Sequence, residues 1–492
     1  MGCMDTTITK EAVAAAVKDA IPRLACELPA DILAGLKAAL AREVAPRGRA
    51  VLSQLVENAS IARNDRVPIC QDTGTVWVSL EVGPGVMVPA DVFAGVDDAV
   101  AQAYADARLR KSVVRDAILD RTNTGDNTPA FCDIHPVDEP GAARLHLMLK
   151  GGGSDNASRV VMLPPGAGRA GIVEEVVRCV KEKAANACPP LVVGVGIGAT
   201  FDKVAGLAKR ALMRPIDAAA PDPETQALEE ELCAAVNATG VGPGGLGGAC
   251  AALAVRVETA PCHIAALPLA INMGCSAMRR ATIDLVARSS EPCAGPSGDA
   301  AASHCPVSEK SASAAEPVRL SLPLDRAQLL CLKAGQACLL TGPLFTLRDA
   351  GHVRLMKELS RNGGVLPYGL EGQAIFYAGP TPAAAGRPFG AVGPTTASRM
   401  DFAAPALHRA GIAATVGKGH RSEEVRQACV QTGSVYFVAC GGAAALLAQC
   451  VASSETIAYD DLGTEALRRI EVVDFPVFVG VDTAGNDVYD LA

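Results

Sequence analysis

One stretch of the chain favours neither helix nor strand and divides the sequence into two parts. From about Ser289 to Glu316, Ser, Ala, Pro and Gly dominate, and the hydrophobic periodicity of regular structure disappears. Such a composition is typical of a flexible linker. The parts on either side, residues 1–288 and 317–492, are each long enough to form a domain. We therefore predict two domains joined by a linker at 289–316, as if two proteins were fused end to end.

The hydrophobic patterns differ between the N-terminal part, before the linker, and the C-terminal part, after it. Helices and strands are mixed in the N-terminal part, which predicts an α+β domain. The helical patterns cover residues 5–62, 91–110 and 172–187, and the strand patterns cover 75–82, 143–150 and 191–195. In the C-terminal part, short β-rich runs alternate with helices, which predicts a smaller α/β domain. The expected fold class of the chain is α/β.

Composition and charge exclude several kinds of partner. The net charge is −8, aromatic residues make up 3% of the chain, and Trp77 is the single tryptophan. Because nucleic-acid binding uses a positive field and stacking rings, no nucleic-acid partner is expected. The seventeen cysteines are odd in number and follow no secretory signal, which predicts reduced thiols in the cytoplasm.

One uncharged window, Ser434 to Ala452, approaches the ~20 residues of a membrane span. Gly441-Gly442 divides this window into a β-rich part and a helix-forming part. A buried strand, a turn and a helix explain the window better than a membrane span does, so no membrane association is expected.

Two glycine-rich segments resemble nucleotide-binding motifs but lack essential parts of them. Gly194 to Ala199 follows an apolar strand, yet no second strand ending in an acidic residue follows about 20 positions on. We interpret it as a strand-to-helix turn that passes close to a ligand other than NAD. In Gly411 to Lys418 the glycines are one residue too far apart, and Gly419 replaces the Ser or Thr of a phosphate loop. ATP is therefore not expected. The sequence contains no Cys-x-x-Cys, which leaves zinc ribbons and ferredoxin-like clusters unsupported.

Nine patches are rich in polar residues, glycine, proline or cysteine where packing alone has no use for them. In the N-terminal part they are Cys70 to Gly74, Leu109 to Ser112, Arg121 to Pro129, Lys150 to Ser154, Cys188 to Pro190 and Gly242 to Cys275. In the C-terminal part they are Thr346 to Asp349, Gly393 to Asp401 and Gly417 to His420.

Together and in this order, the nine patches resemble the class I, iron-sulfur-dependent fumarate hydratases and the related L-tartrate dehydratases. The resemblance extends over about nine tenths of the chain. Because the two parts occur in that family either as separate subunits or fused, the linker implies a fused form. The resemblance also implies a cluster-binding N-terminal domain, a swivelling-type C-terminal α/β domain and a homodimer.

The cofactor implied by this resemblance is a 4Fe-4S cluster with three cysteine ligands, Cys70, Cys188 and Cys275. Three ligands leave one iron open, as a catalytic metal site keeps a vacant position, and that iron can act as a Lewis acid on a substrate oxygen. Pro189-Pro190 stiffens the chain beside Cys188, which supports that ligand. Cys262, next to His263, is the strongest alternative ligand.

The reaction implied by the resemblance is the reversible addition of water across the C=C bond of a small dicarboxylate, which converts fumarate to L-malate. Two carboxylates require several cations, and arginine binds carboxylates in a bidentate manner. The matching patches supply four cations, namely Arg110, Arg348, Arg399 and Lys418. Arg121 is a further candidate. Gln71 as a hydrogen-bond donor and Gly153 in a backbone loop that can approach an anion complete the expected substrate-binding group.

Proton transfer at carbon requires a base, for which the resemblance indicates Thr395, with Asp72 and His263 nearby. A threonine hydroxyl is a weak base unless it is activated. Histidine titrates closest to neutral pH, which makes His263 the alternative base. We assign the proton transfer to Thr395, supported by Asp72 and His263.

Two alternative functions stay open. The same chemistry could act on L-tartrate or mesaconate, because pocket differences of only ~1–3 kcal/mol decide between such substrates. The chain could also be an iron-sulfur sensor without catalytic activity. The Arg, Lys and Thr patches argue against a sensor, since cluster binding alone does not need them.

Overall fold

The structure, a computed structural model, describes residues 6–285 and 316–491. All of the predicted linker except Glu316 lies outside the described residues. Helices and strands are mixed along the described chain, which confirms the α/β fold class.

The N-terminal part contains eight α-helices and ten strands within residues 6–285. The helices are α1 (Lys10–Cys26), α2 (Ala30–Arg42), α3 (Pro46–Asp65), α4 (Val96–Asp106), α5 (Gly152–Asp155), α6 (Gly168–Ala187), α7 (Phe201–Ala211) and α8 (Pro223–Asn237). The strands are β1 (Thr6–Thr7), β2 (Thr75–Val82), β3 (Val86–Met87), β4 (Phe131–Pro136), β5 (Ala143–Lys150), β6 (Arg159–Leu163), β7 (Leu191–Ala199), β8 (Ala252–Cys262), β9 (Leu267–Gly274) and β10 (Arg280–Asp284).

The larger strands of this part form two four-stranded sheets, in the orders β10-β5-β2-β4 and β6-β9-β7-β8. Helix α1 covers the first sheet because its buried residues recur every three or four positions and so lie on one side of the helix. These residues are Val13, Val17, Ile21 and Leu24. They share a hydrophobic core with Leu145 and Leu147 of β5.

The glycines of β7 in the second sheet permit close packing of α7. A Cβ atom at Gly194 would lie 2.2 Å from Ala208 O, and one at Gly196 would lie 2.4 Å from Val204 O. The prediction of a strand-to-helix turn beside a ligand is therefore wrong for this segment, because its glycines lie within the strand, where the helix backbone approaches them.

The C-terminal part contains five α-helices and seven strands within residues 316–491. The helices are α9 (Arg326–Cys331), α10 (Asp349–Arg361), α11 (Ala404–Arg409), α12 (Glu423–Thr432) and α13 (Ala444–Gln449). The strands are β11 (Val318–Ser321), β12 (Ala337–Thr346), β13 (Ala374–Phe376), β14 (Ala414–Gly417), β15 (Val435–Val438), β16 (Val451–Ala458) and β17 (Leu467–Val481).

All seven strands of this part belong to one sheet, in the order β11-β12-β13-β14-β15-β17-β16. Strands β12 to β15 are parallel, and a helix follows each of them. The long strand β17 pairs antiparallel with both β15 and β12, so these five strands close on themselves. The uncharged window at 434–452 forms β15, a turn and α13, as predicted. Along the described chain, no helix combines the length and hydrophobicity that crossing a membrane requires.

The two parts meet where α3 packs against α13. Asn58 of α3 is 1% exposed at this contact. Its side-chain amide donates to Ile69 O at 3.1 Å and to Gly442 O at 2.9 Å. Its oxygen accepts from the backbone N–H groups of Ala445 at 2.8 Å and Leu446 at 2.9 Å. One amide therefore uses its full hydrogen-bonding capacity here, and three of its four bonds join the two parts.

Candidate active site

The topology brings the three predicted cluster cysteines together. Cys188 lies three residues before the start of β7, and Cys275 directly follows β9, which runs antiparallel to β7. The start of β7 and the end of β9 are therefore neighbours, and the Ser276 N–H donates to Cys188 O at 3.0 Å. Cys70 lies between α3 and β2, next to Ile69, whose carbonyl Asn58 holds.

A cavity of about 260 Å³ lies beside these cysteines. Its wall contains eleven of the twelve predicted site residues, Cys70, Gln71, Asp72, Arg110, Gly153, Cys188, Cys275, Arg348, Thr395, Arg399 and Lys418. Seven of them come from the N-terminal part and four from the C-terminal part. The cavity therefore lies between the two parts of the chain.

The charged side chains of the cavity wall are mostly basic. The six cations are Arg110, Lys183, Arg279, Arg348, Arg399 and Lys418. Asp72 is the acidic residue of the wall among the described residues. A cavity with this excess of positive charge suits a ligand that carries two negative charges.

Asp72 accepts hydrogen bonds and is held by cations. Its carboxylate accepts from the backbone N–H of Gly152 at 2.9 Å and lies 3.4 Å from the Arg110 guanidinium. Burial raises the pKa of Asp72, but Arg110, Arg279 and the Gly152 N–H outweigh burial and hold the pKa below its usual value. Asp72 is therefore ionised at neutral pH.

Side chains of the N-terminal part bind the backbone of the C-terminal part within the site. Gln71 Nε2 donates to Pro394 O at 3.2 Å, and Arg110 Nη1 donates to Gly379 O at 3.0 Å. A Cβ atom at Gly393 would lie 2.3 Å from Gln71 Oε1, so the glycine permits this contact. Docking of the two parts therefore helps to orient both side chains.

Lys418 makes the reverse connection, from the C-terminal part to the N-terminal part. Its Nζ donates to Asn186 O at 3.1 Å and lies 2.6 Å from Cys188 Sγ. Gly153 also approaches this amine, because a Cβ atom there would lie 3.3 Å from Lys418 Nζ. The ammonium group thus stands between a predicted cluster ligand and the glycine loop.

Two arginines of the C-terminal part are oriented by carboxylates outside the cavity wall. Arg348 Nη2 lies 2.9 Å from Glu465 Oε1, and Arg399 Nε donates to Asp349 Oδ1 at 3.0 Å. Arg348 Nε is buried and has no hydrogen-bond partner among the described residues. Both guanidinium groups line the cavity, where an anion could complete their hydrogen bonds.

Thr395 has a fixed backbone and a free hydroxyl group. Its N–H donates to Tyr377 O at 2.6 Å, and its carbonyl accepts from the Lys418 N–H at 3.2 Å. The residue is 5% exposed and lines the cavity. Within residues 6–285 and 316–491, the hydroxyl makes no hydrogen bond. It is therefore available to a ligand.

The structure does not bring His263 to the cavity of its own chain, which corrects its predicted place beside Thr395 and Asp72. His263 lies in the exposed turn after β8 and accepts from the Ala265 N–H. Strand β8 runs parallel to β7, with its end opposite Ala199. The turn thus lies a full strand length, roughly 25 Å, from the start of β7, where the cysteines meet. Cys262 is exposed at the same remote end.

Several cavity residues were missed by the sequence analysis. Arg279, Lys183 and Asn186 all line the cavity. Arg279 lies four positions after Cys275, the end of the last N-terminal patch. This short distance in sequence could have indicated that Arg279 belongs to the site. Arg121, the further candidate for substrate binding, is exposed and donates to Ala117 O instead.

The cysteines suit a cluster better than a single ion. Among the described residues, no three His, Cys, Asp or Glu side chains converge closely enough to hold one metal ion. Three thiols nevertheless line one cavity, and a cluster is bound by cysteines that each take a different iron. A Cβ atom at Gly441 would lie 2.3 Å from Cys188 Sγ, so the chain leaves space beside this thiol. The residues present therefore fit an iron-sulfur cluster.

Comparison with known families gives a result for both parts of the chain. Residues 14–284 match the family model described as fumarate hydratase, and residues 297–492 match the model described as the fumarase C-terminus. These matches agree with a site built from both parts. The fold and site define a hydro-lyase, an enzyme that adds or removes water.

The relatives identify the family. The chain is 33% identical to "Fumarate hydratase class I, anaerobic" of Escherichia coli over 472 residues, which cover 91% of this chain and 84% of the relative. It is 33% identical to "Fumarate hydratase 2" of Leishmania major over 91% of this chain and 81% of the relative. The "Putative L(+)-tartrate dehydratase subunit alpha" of Methanocaldococcus jannaschii is 37% identical over 52% of this chain and 90% of its own length. The chain belongs to the fumarate hydratase family.

Proposed function

We propose that this enzyme converts fumarate to L-malate reversibly, with a 4Fe-4S cluster held by Cys70, Cys188 and Cys275. The observation that carries the proposal is a cavity in which three thiols stand beside six basic side chains and one carboxylate. When bound through three thiolates, the cluster supplies one open iron as a Lewis acid for a substrate oxygen.

The cations would bind and orient the two carboxylates of the substrate. Arg348 and Arg399 are already oriented by Glu465 and Asp349, and bidentate pairing would fix the plane of a carboxylate. Arg110 and Lys418 extend the positive field across the contact between the two parts.

Neutral groups would complete the binding of the substrate. The Gln71 side chain and the backbone of Gly153 stand where they can hydrogen-bond a substrate oxygen. Such fixed positions raise the rate because the reacting groups are held in their productive arrangement.

Thr395 would transfer the proton at carbon. Its hydroxyl is free of other partners in the described part of the chain, and the carboxylate of Asp72 lies in the same wall. Because the Asp72 carboxylate is held by Arg110 and the Gly152 N–H, we assign it to orienting groups and balancing charge. Within one chain His263 lies far from Thr395 and does not support it there.

A panel of substrates tests the proposal. Enzyme prepared without oxygen should remove the ultraviolet absorbance of the fumarate double bond and should act more slowly on mesaconate and L-tartrate. A higher kcat/KM with L-tartrate would favour the alternative suggested by the Methanocaldococcus jannaschii relative. A loaded cluster without turnover of any of these acids would favour the sensor.

We further propose two domains, 1–288 and 317–492, joined at 289–316, in a cytoplasmic homodimer. The contacts of Gln71, Arg110 and Lys418 across the site support the idea that neither domain is active alone. Separately produced domains should be inactive and should regain activity on mixing. Activity of residues 1–288 alone would disprove a shared site, and light scattering of the whole protein would measure the oligomer.

A further inference from the structure

Arg279 is a buried arginine of the cavity wall that lies near the Asp72 carboxylate but forms no salt bridge with any described residue. It is 1% exposed, and its Nη2 donates to Asp72 O at 2.8 Å. Nε and Nη1 are buried and have no hydrogen-bond partner within residues 6–285 and 316–491. A guanidinium group has five N–H donors, so most of its capacity is unused.

Such a side chain is costly unless an anion balances it. Removing a charge from water is strongly unfavourable, and the unused donors add to the cost. The next residue, Arg280, is paired with a carboxylate, as buried arginines usually are. It lies 2.6 Å from Asp31 and also donates to Leu212 O at 2.8 Å. Arg279 has no such directly paired carboxylate among the described residues, so a further anion at Nε and Nη1 would complete its surroundings.

The position of Arg279 favours a resident anion over a substrate that enters and leaves. The Arg399 side chain is 49% exposed and accessible from solvent, whereas Arg279 is closed off. Arg279 follows Cys275 by four residues and binds the carbonyl of Asp72, two residues after Cys70. Its guanidinium group thus connects two of the segments that carry cluster ligands.

We propose that Arg279 is a positioning residue for the iron-sulfur cluster. Its unused N–H groups donate to the anionic cluster, and its charge offsets the negative charge of the cluster and its thiolates. The inference rests on the proposed function, since it requires the cluster at Cys70, Cys188 and Cys275. It assigns Arg279 to holding and tuning the cofactor, and leaves substrate binding to the more exposed cations.

The reduction potential of the cluster tests this role. Removing a nearby positive charge disfavours the added electron, so Arg279→Met should shift the reduction equilibrium at least tenfold toward the oxidised cluster, which is 59 mV for one electron. The variant should also lose iron to a chelator about tenfold faster. Arg279→Lys keeps the charge and should restore most of the potential, and it serves as the test if the Met variant does not fold.

Arg280→Met is the matched control, because it removes the neighbouring buried arginine, whose partner is Asp31. It should lower the melting temperature without changing the potential. An unchanged potential in Arg279→Met, with weaker binding of a dicarboxylate inhibitor, would overturn the inference and assign Arg279 to the substrate. Wild-type protein that binds no cluster would instead overturn the proposed function together with this inference.

Discussion

The two parts of the chain build their shares of the site in different ways. In the C-terminal part, Arg348 and Lys418 follow the carboxyl ends of the parallel strands β12 and β14, the usual position of ligand groups in such sheets. In the N-terminal part, Asp72 and Cys188 precede strands, whereas Gly153 and Cys275 follow strands of different sheets. The C-terminal part therefore places these site residues after the carboxyl ends of parallel strands in one sheet. The N-terminal part places its site residues on loops that belong to two sheets.

The two parts also supply different chemical groups to the site. The N-terminal part supplies all the thiols and the carboxylate, and the C-terminal part supplies Thr395 and three of the cations. Substitutions in the two parts should therefore give different kinds of loss. The N-terminal loops should control the cofactor, and the C-terminal strand ends should control turnover and substrate binding.

The largest expected effect is in the N-terminal part. Cys188→Ser should remove the brown iron-sulfur absorbance and reduce activity to background, because a serine hydroxyl is a poor replacement for a thiolate ligand. Cys179→Ser is the control, since Cys179 is fully buried in a hydrophobic core away from the cavity wall. Iron analysis and spectra measure both variants. Full cluster content in Cys188→Ser would contradict the ligand assignment.

The next effect belongs to the C-terminal part alone. Thr395→Val keeps the size of the side chain and removes the hydroxyl, so kcat should fall by ~10²–10⁴-fold while KM stays close to that of the wild type. Iron content should be unchanged, because the cysteines lie in the other part. A Thr395→Val variant within a few-fold of wild-type kcat would show that another group transfers the proton.

Arg399→Ala should give the complementary pattern. Removal of a carboxylate-binding guanidinium should raise KM strongly, with a smaller decrease of kcat from misorientation. The partner Asp349 would be left without its hydrogen bonds from Arg399. Steady-state kinetics with both fumarate and L-malate measure the change, and an unaltered KM would remove Arg399 from the binding group.

A smaller effect should appear where the two parts are joined. Asn58→Ala leaves two carbonyls and two N–H groups without their partner, which should cost about 2–4 kcal/mol of stability and reduce activity at the shared site. Asn237→Ala is the matched control, because Asn237 makes similar bonds to Ala251 and Ala252 within the N-terminal part. It should lower stability but leave the activity of folded protein unchanged. Equal activity losses in both variants would contradict a specific role at the joint.

The smallest effect should be confined to the stability of the N-terminal part. A hydrogen bond with His146, aided by Arg144, outweighs burial and lowers the pKa of Glu81 to about 2. The lowered pKa means that the ionised Glu81 stabilises the fold above its ordinary pKa of 4.5, and that this contribution is lost as the pH falls toward 2. Glu81→Gln should therefore cost about 1–3 kcal/mol near neutral pH, and the difference from wild type should disappear in acid. Denaturant unfolding at several pH values measures it.

The sequence indicated which polar groups come together in the structure, because chemistry leaves short local signals. Eleven of twelve site residues line one cavity, and each belongs to a polar patch. His263 also belongs to a patch, but its distance from the cavity depends on how β8 and β9 pair with β7, which a sequence pattern does not reveal.

Other features were beyond prediction because they arise from packing in three dimensions. The burial of Arg279 without a salt bridge to any described residue has no local sequence pattern. The glycines of β7 resemble those of a ligand-binding loop in sequence, but in the structure they allow the backbone of α7 to pack closely against the strand. The alternation of strands and helices in the C-terminal part was predictable, whereas the closure of its sheet by β17 was not.

The amide of Asn58 also bears on the order in which the molecule is completed during synthesis. Helix α13 has no capping side chain of its own at Ala443, and the free N–H groups of its first turn are satisfied by Asn58, almost 400 residues earlier. Since domains fold from the N-terminus as the chain leaves the ribosome, the cap is present before the helix it caps exists. The N-terminal part thus holds the capping side chain of α13 in place before α13 forms.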